Sequence, residues 1–320
     1  MGSIETLLSP IILFFVLGML AGFARSDLSI PEPIAKAMSL YLMAAIGLKG
    51  GGEVAAAGFS TDILLAAAAG IALSFALPLP AYAVLRRLGR LDGTNAAAVA
   101  AHYGSVSVVT FVTGYEMLRT FGIPPAGYMS AVLALMETPA IITGLLLARM
   151  SGSSLSASGG TLWRETLLNG SVVLLVGSFL IGLIAGKGGL EPVAPFFDDI
   201  FRGVLCLFLL DIGLIAARRL LEVQVLTWRI AVLAIVLPVF NGSIGVALGS
   251  ALGLDVGSAA ALGILAGSAS YIAVPAVMRL ALPQANPGLY LCMSLAITFP
   301  FNVVLGIPYY TALSRWMGGP

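Results

Sequence analysis

The chain has 320 residues, of which 59% are hydrophobic and only 10% are charged, and its formal net charge is +1. A soluble domain typically carries roughly 25% charged residues, so this composition predicts a membrane protein. The near-neutral charge argues against a nucleic-acid partner, which needs a basic stripe. The single histidine and the absence of a Cys/His cluster argue against a transition-metal site.

Ten apolar segments follow one another along the chain, bounded by charges or by Pro/Gly clusters, and each is suited to a transmembrane helix. They lie at residues 8–24, 34–49, 62–86, 95–118, 127–149, 165–186, 197–217, 229–253, 257–279 and 287–314. No stretch between them is long enough for a soluble domain. The predicted fold class is therefore an all-α polytopic membrane protein with ten transmembrane helices.

Positive charges are distributed unevenly between the two ends of these segments. If the N-terminus is outside, eleven of the sixteen Lys and Arg residues lie in cytoplasmic loops or helix ends, and five lie on the opposite side. The positive-inside rule therefore predicts a multi-pass protein of the plasma (inner) membrane with both termini on the outer side.

The two halves of the chain echo one another in the same order. The stretch Leu17–Gly22 resembles Ile181–Gly186 at an offset of 164, and Glu137-Thr138-Pro139 aligns with Thr298-Phe299-Pro300 at an offset of 161. Each half has five segments, an odd number, so the halves must insert with opposite orientation, which is typical of transporters. We predict a first repeat at residues 1–150, a short cytoplasmic linker at 151–164 and an inverted second repeat at 165–320.

The fourth and ninth segments are each interrupted by small polar residues. The interruptions are Gly104-Ser105-Val106-Ser107 and Gly267-Ser268-Ala269-Ser270, which lie 163 residues apart (267 minus 104). A helix broken at membrane depth exposes N–H groups that must face protein or a wet cavity, and its N-terminus attracts anions. We therefore predict that these eight residues form a substrate site. The alternative is that small residues here only permit close helix packing.

Oxygen-bearing side chains near these breaks are candidate ligands for Na⁺. An ionisable residue inside a span is a functional candidate, and Glu137 lies deep in the fifth segment. We assign a sodium site to Ser107, Glu137, Ser270, Thr298 and Asn302. Glu137 is also a candidate proton carrier or a carboxylate that is hydrogen-bonded to a helix break. His102 is a candidate proton shuttle or structural hydrogen-bonder. Asn241-Gly242-Ser243 is expected to interrupt the eighth segment, either as a packing seam or as a wall of the transport pathway.

Several motifs together resemble the SbtA-type sodium-dependent bicarbonate transporters over essentially the whole chain. They are Ile46-Gly47-Leu48-Lys49-Gly50-Gly51, Gly104-Ser105-Val106-Ser107, Met136-Glu137-Thr138-Pro139-Ala140, Ser268-Ala269-Ser270-Tyr271, Pro275 with Arg279, Leu282-Pro283-Gln284-Ala285-Asn286-Pro287 and Ala296-Ile297-Thr298-Phe299-Pro300. The chain departs from the family pattern at two places. Tyr271 replaces an aspartate after the second-repeat serines, and Glu137-Thr138-Pro139 replaces Asp-x-Pro.

The resemblance implies more than the residues themselves do. It implies gate and core subdomains, a homotrimer, Na⁺-coupled bicarbonate uptake by an elevator movement, and a substrate site where the two broken helices cross. It also implies a PII-like trimeric regulator on the cytoplasmic face. Na⁺ would be the coupling ion, with no other cofactor.

The leading hypothesis is Na⁺-coupled symport of a small monovalent anion, with bicarbonate first among the candidates, rather than an enzymatic activity. The alternatives are a cation/proton antiporter and a Na⁺-coupled organic-anion transporter on the same inverted-repeat fold. An intramembrane hydrolase using a serine of Gly267-Ser268-Ala269-Ser270 with His102 as its base is a weaker alternative, because the motif is duplicated and catalysis needs one nucleophile.

Overall fold

The computed structural model describes residues 9–58, 60–153, 170–222 and 227–318. These residues are helical over most of their length, and no strand occurs among them. The all-α class predicted from the sequence is therefore confirmed. Most of the predicted linker, residues 154–164, and the beginning of the sixth predicted segment lie outside the described residues.

The described part of the first half forms eight helices. They are α1 Pro10–Phe23, α2 Glu32–Ala57, α3 Thr61–Ala76, α4 Pro78–Arg87, α5 Gly93–Gly104, α6 Val108–Thr120, α7 Met129–Glu137 and α8 Pro139–Met150. Pro78 and Pro139 each begin a helix. Because a proline cannot donate to the carbonyl four residues before it, the third and fifth predicted segments are each divided into two helices.

The described part of the second half forms eight more helices. They are α9 Gly170–Leu190, α10 Phe201–Glu222, α11 Trp228–Ala251, α12 Val256–Ala266, α13 Ala273–Ala281, α14 Pro287–Leu291, α15 Phe299–Phe301 and α16 Ile307–Met317. A 3₁₀ turn at Glu191–Val193 and a π-helical turn at Pro195–Asp199 connect α9 to α10. Two further π-helical stretches, Cys292–Thr298 and Asn302–Gly306, join α14, α15 and α16 into one helical rod.

Seven helical stretches of the described chain are long and apolar enough to cross a membrane. They are Thr61–Arg87, Gly93–Thr120, Met129–Met150, Val172–Val193, Pro195–Leu221, Trp228–Ala251 and Pro287–Met317. Helices α1 and α12 are apolar but shorter, and α2 carries four charged residues. The protein is thus a multi-pass membrane protein, whereas the crossing of all ten segments stays a prediction.

Helix α11 runs without interruption through Asn241-Gly242-Ser243, so the break predicted there is wrong. The Asn241 side chain donates a hydrogen bond of 3.0 Å to the Tyr103 carbonyl of α5. A methyl group on Gly242 would meet the ring of Tyr310. Small and polar residues at this point serve close packing of α11 against its neighbours rather than a helix break.

Glycines bring two pairs of helices into backbone contact. Helix α1 packs along α10, where a side chain on Gly18 would overlap the Leu210 carbonyl. Helix α2 packs along α9, where a side chain on Gly182 would overlap the Leu48 carbonyl. Gly18 and Gly182 are equivalent in the sequence repeat, since they are 164 residues apart (182 minus 18). The repeated glycines therefore have the same packing role in both halves.

Among the seven long apolar stretches of the described chain, the fourth segment, α5 followed by α6, is the most fully buried. All residues in its most apolar 18-residue window are buried. Helices α4 and α8 pack against α5, while α12 packs against both α11 and α6. A polar break in α5–α6 is consequently surrounded by protein on every side, which sets the conditions for the site.

Candidate functional site

The first break separates α5 from α6 as the sequence predicted. Helix α5 ends at Gly104 and α6 begins at Val108, so Ser105, Val106 and Ser107 lie outside both helices. All three are buried. The Ser107 hydroxyl caps α6 by accepting a hydrogen bond of 3.2 Å from the Thr110 amide. The cap satisfies one of the amides that a helix leaves free at its start.

The second break is longer than predicted. Helix α12 ends at Ala266 and α13 begins at Ala273, so the break runs from Gly267 to Ile272 and extends two residues beyond Ser270. The Ser270 hydroxyl accepts from the Val274 amide at 3.4 Å. Each break therefore contains a serine hydroxyl that accepts from the helix that follows it.

The two breaks are in direct contact. The Ser107 amide donates to the Ser268 hydroxyl at 2.9 Å, and the Ser270 amide donates to the His102 carbonyl at 2.9 Å. Both bonds are buried. Because a free backbone amide buried away from water costs free energy, each break supplies partners that the other needs. The two interrupted helices thus meet at a shared polar centre, which we call the crossing.

Glu137 lies beside the first break at the end of α7. Its backbone carbonyl accepts from the Ser105 hydroxyl at 3.1 Å. Its side chain is buried, and the Oε2 atom has no hydrogen-bond partner among the described residues. A buried carboxylate oxygen without a partner is costly. It is therefore available to a cation or a proton.

The family of the chain is shown by a comparison with protein-family models. A model of the Na⁺-dependent bicarbonate transporter superfamily matches residues 10–315. The chain belongs to that superfamily. Membership implies Na⁺-dependent bicarbonate transport and agrees with a non-enzymatic role. A search of curated proteins finds no match to the chain.

Ser74 bridges the helix backbone on either side of Pro139. Its hydroxyl donates to the Met136 carbonyl at 2.7 Å and accepts from the Ala140 amide at 3.1 Å. In an unbroken helix these two groups would bond to each other, four residues apart. The hydroxyl is inserted between them and keeps the break between α7 and α8 satisfied. No sequence pattern marks Ser74 for this role, because α3 contacts α7 only in the folded protein.

Asn302 and Thr298, both assigned to the sodium site, make different contacts. The Asn302 side chain donates to the Gly267 carbonyl at 2.8 Å and accepts from the Tyr310 hydroxyl at 3.2 Å. It therefore holds the first residue of the second break. The Thr298 hydroxyl donates to the Ala234 carbonyl of α11 at 2.6 Å, and the Tyr103 hydroxyl lies 2.7 Å from it. Thr298 is thus bonded to α11 and α5 rather than to either break.

His102 makes contacts typical of a structural residue. Its Nδ1 atom lies 2.7 Å from the Ala98 carbonyl, and its ring stacks on Tyr290 with centroids 4.5 Å apart. The Ser268 hydroxyl donates to the Leu265 carbonyl at 2.8 Å. Neither side chain is thus arranged as a Ser–His pair, which would need a nucleophile bonded to its base.

Proposed function

We propose that the protein is a symporter that carries Na⁺ together with a small monovalent anion, with bicarbonate as the leading candidate. The observation that supports this most directly is the crossing. Two helix breaks, predicted independently of their contacts, meet in the buried centre and bond to each other through Ser107 and Ser268. Discontinuous helices that meet in this way form the binding sites of many secondary transporters.

The anion would be held by helix ends rather than by a cationic side chain. Helices α6 and α13 both begin at the crossing, and a helix N-terminus carries about half a positive charge. Neither break contains Lys or Arg. Two partial charges and the hydroxyls of Ser105, Ser107 and Ser270 suit one negative charge, because N–H groups and the helix dipole at an N-terminus favour an anion.

Sodium would complete the charge balance at the same place. Na⁺ is a hard cation that takes oxygen ligands, as Ca²⁺ and Mg²⁺ do. The Glu137 carboxylate supplies an unpartnered oxygen next to the first break. Ser107, Ser270, Thr298 and Asn302 would supply further oxygens. Ser270 lies in the second break, and Ser107 and Asn302 are both bonded to it. A bound Na⁺ would offset the negative charge of Glu137, and the two helix N-termini would offset that of the anion.

An elevator movement would carry the crossing across the membrane. The glycine-packed pairs α1–α10 and α2–α9 would form the gate, and the remaining helices would form the core. Phe15 of α1 packs edge-on against Phe299 with centroids 5.4 Å apart. Arg202 of α10 pairs with the buried Glu116 of α6 at 2.8 Å. Both contacts join the gate to the core, so both would change during transport.

The remaining features of the proposal rest on sequence and family rather than on contacts. The halves 1–150 and 165–320 would be inverted repeats joined at 151–164, with both termini outside. The equivalent packing of Gly18 and Gly182 supports this relation. A homotrimer surrounded by lipid and a PII-like cytoplasmic regulator are properties implied by the resemblance.

The test is uptake of radiolabelled bicarbonate into liposomes that contain the purified protein. An inward Na⁺ gradient is compared with a K⁺ gradient, and the variant Ser105→Ala/Ser268→Ala is compared with the wild type. We expect accumulation only with Na⁺ and its loss in the double variant. Uptake that does not depend on Na⁺, or that survives in the double variant, would contradict the proposal.

A matched control removes two other buried hydroxyls. Thr113 and Thr311 donate to carbonyls of their own helices, Val109 and Ile307, both at 2.8 Å. The variant Thr113→Val/Thr311→Val should therefore retain Na⁺-dependent uptake. If it loses uptake as the serine variant does, the loss reports general damage to the helices.

Cation/proton antiport is the second candidate, and the unpartnered oxygen of Glu137 favours it. An antiporter would exchange protons without bicarbonate. A pH-sensitive dye trapped in the same liposomes would detect this when a Na⁺ gradient is imposed in bicarbonate-free buffer. A proton flux that is absent from Glu137→Gln would support antiport, and no flux would remove it. Organic anions are tested as competitors in the bicarbonate assay.

A further inference from the structure

Tyr271 places an unused hydroxyl group at the crossing. It follows Ser270 directly and lies inside the second break. Its side chain is 9% exposed, and its ring packs edge-on against Phe299 with centroids 5.7 Å apart. The hydroxyl is buried and has no hydrogen-bond partner among the described residues. The Ser107 side chain is a neighbour of this hydroxyl, but no hydrogen bond with the usual distance and angles joins the two groups.

Such a group is costly to the fold on its own. Most buried polar atoms in folded proteins have a partner, and an unpaired one calls for an explanation such as an absent ligand. Among the described residues, the Glu137 carboxylate and the His102 ring also carry a buried atom without a partner. Glu137 and His102 both bond to a break through their backbone carbonyls. Three of the six such atoms among the described residues therefore belong to residues of the crossing or bonded to it, and the other three belong to Asn241, Ser250 and Tyr290.

The tyrosine has no counterpart in the first repeat. At the offset of 163 that relates the two breaks, the equivalent position is Val108 (271 minus 163). Val108 begins α6 and has no side-chain hydrogen-bonding group. The hydroxyl is consequently not part of the contacts that the two breaks share. It belongs to the second break alone.

We propose that the Tyr271 hydroxyl donates a hydrogen bond to the transported anion and is a specificity-determining residue of the site. The inference rests on the proposed function, since it requires an anion at the crossing. A phenol is a neutral donor, so it strengthens anion binding without adding a charge that would compete with Na⁺. The site should therefore prefer a compact oxyanion over a halide. An oxyanion presents localised oxygen lone pairs to the hydroxyl, whereas a halide is a weaker and less directional acceptor.

The variant Tyr271→Phe removes the hydroxyl and keeps the ring against Phe299. A hydrogen bond to a charged group is typically stronger than one between neutral groups. We therefore expect the KM for bicarbonate to rise about 10- to 100-fold. The Na⁺ concentration for half-maximal uptake should stay within about twofold of the wild type, because the hydroxyl acts on the anion. A bicarbonate KM within twofold of the wild type would overturn the inference.

Tyr309→Phe is the matched control. Tyr309 is 41% exposed, and its hydroxyl lies 2.9 Å from that of Ser243 on the surface of α11. The variant loses one tyrosine hydroxyl away from the crossing. Its KM for bicarbonate should equal that of the wild type. An equal rise in both variants would assign the effect to lost tyrosine hydroxyls in general and would also overturn the inference.

Thermal unfolding in detergent separates this inference from the proposed function. Without added anion, Tyr271→Phe should be at least as stable as the wild type, since it removes an unpaired group; a lower Tm would indicate a structural bond to Ser107 instead. Bicarbonate, formate, nitrate and chloride are then each added with Na⁺. The oxyanion that raises the wild-type Tm should lose that effect in Tyr271→Phe. This Tm comparison tests the inference even if bicarbonate itself is not transported. Equal Tm shifts in the wild type and in Tyr271→Phe, or no Tm shift in the wild type with any of the anions, would overturn the inference.

Discussion

The two helix breaks have the same sequence pattern but are held by different partners. At the first, the Ser105 hydroxyl reaches the Glu137 carbonyl of α7. At the second, the Ser268 hydroxyl returns to Leu265 in its own helix, and Asn302 holds the Gly267 carbonyl. The first break is thus next to an acid, and the second is next to an amide.

This difference shows that a repeated sequence need not repeat its chemistry. Glu137 and Thr298 are equivalent in the repeat, yet Thr298 is bonded to α11 and α5. Asn302 corresponds to Ile141 (302 minus 161), which has no polar group. An acid at one break and neutral donors at the other suit a site that holds a cation and an anion side by side.

The largest expected effect comes from removing the acid. Glu137→Gln should lower Na⁺-dependent bicarbonate uptake about 10- to 100-fold, because a neutral amide loses its attraction for the coupling ion. The equivalent variant Thr298→Val should lower uptake by less than about threefold, because it removes only a neutral ligand oxygen that is already bonded to Ala234 and Tyr103. Initial uptake rates in liposomes measure both. Equal losses would mean that the two breaks are chemically alike.

Glycine replacement distinguishes how tightly the breaks are packed. A methyl group on Gly104 would overlap the Pro78 ring and lie 3.0 Å from the Ala140 side chain, neither of which can move easily. A methyl group on Gly267 would mainly meet the hydroxyl end of Tyr310, with the Pro238 carbonyl 2.9 Å away. We expect Gly104→Ala to cost about 2–3 kcal/mol and Gly267→Ala less. Thermal unfolding in detergent compares them, and the reverse order would contradict the packing described.

Asparagine replacement compares two buried side-chain amides, Asn241 beside the end of α5 and Asn302 at the second break. Asn302→Ala leaves the Gly267 carbonyl unpaired and removes an acceptor from Tyr310. Asn241→Ala removes one bond to Tyr103, and the Asn241 Oδ1 atom has no partner to lose. The free energy of unfolding should fall by about 1–2 kcal/mol more in Asn302→Ala than in Asn241→Ala. Denaturant unfolding of the two variants gives this difference. Equal losses of unfolding free energy would show that the hydrogen bond from Tyr310 to Asn302 contributes nothing to stability.

The smallest expected effect is at the far end of α6. Glu116 is buried and pairs with Arg119 at 3.0 Å as well as with Arg202. Arg202 is 59% exposed, and Arg119 remains after its removal. Arg202→Gln should therefore lower the free energy of unfolding by less than about 1 kcal/mol. If Tm instead falls as far as in Asn302→Ala, this ion pair contributes more to the gate–core contact than its exposure suggests.

Local sequence was sufficient to predict the all-α class and the place of both breaks, although the second break runs two residues further than predicted. Long apolar runs form helices in a membrane whatever their neighbours are, since no other open structure satisfies the backbone there. Gly104–Ser107 and Gly267–Ser270 could be found because glycine and serine disfavour a continuous helix within such runs. The same reasoning failed at Asn241-Gly242-Ser243, where equivalent residues serve packing and α11 continues.

The partners of the breaks were decided only by the tertiary structure. Ser74 bridges a helix break 62 residues away at Met136, and Ser107 meets a serine 161 residues away. The unpaired hydroxyl of Tyr271 is likewise visible only once its neighbours are in place. Helix propensity and hydropathy act within a few residues of one another. A hydrogen bond between distant helices depends on how the faces of those helices pack. Glycines such as Gly104 allow the close packing, but no local sequence pattern encodes which helices will meet.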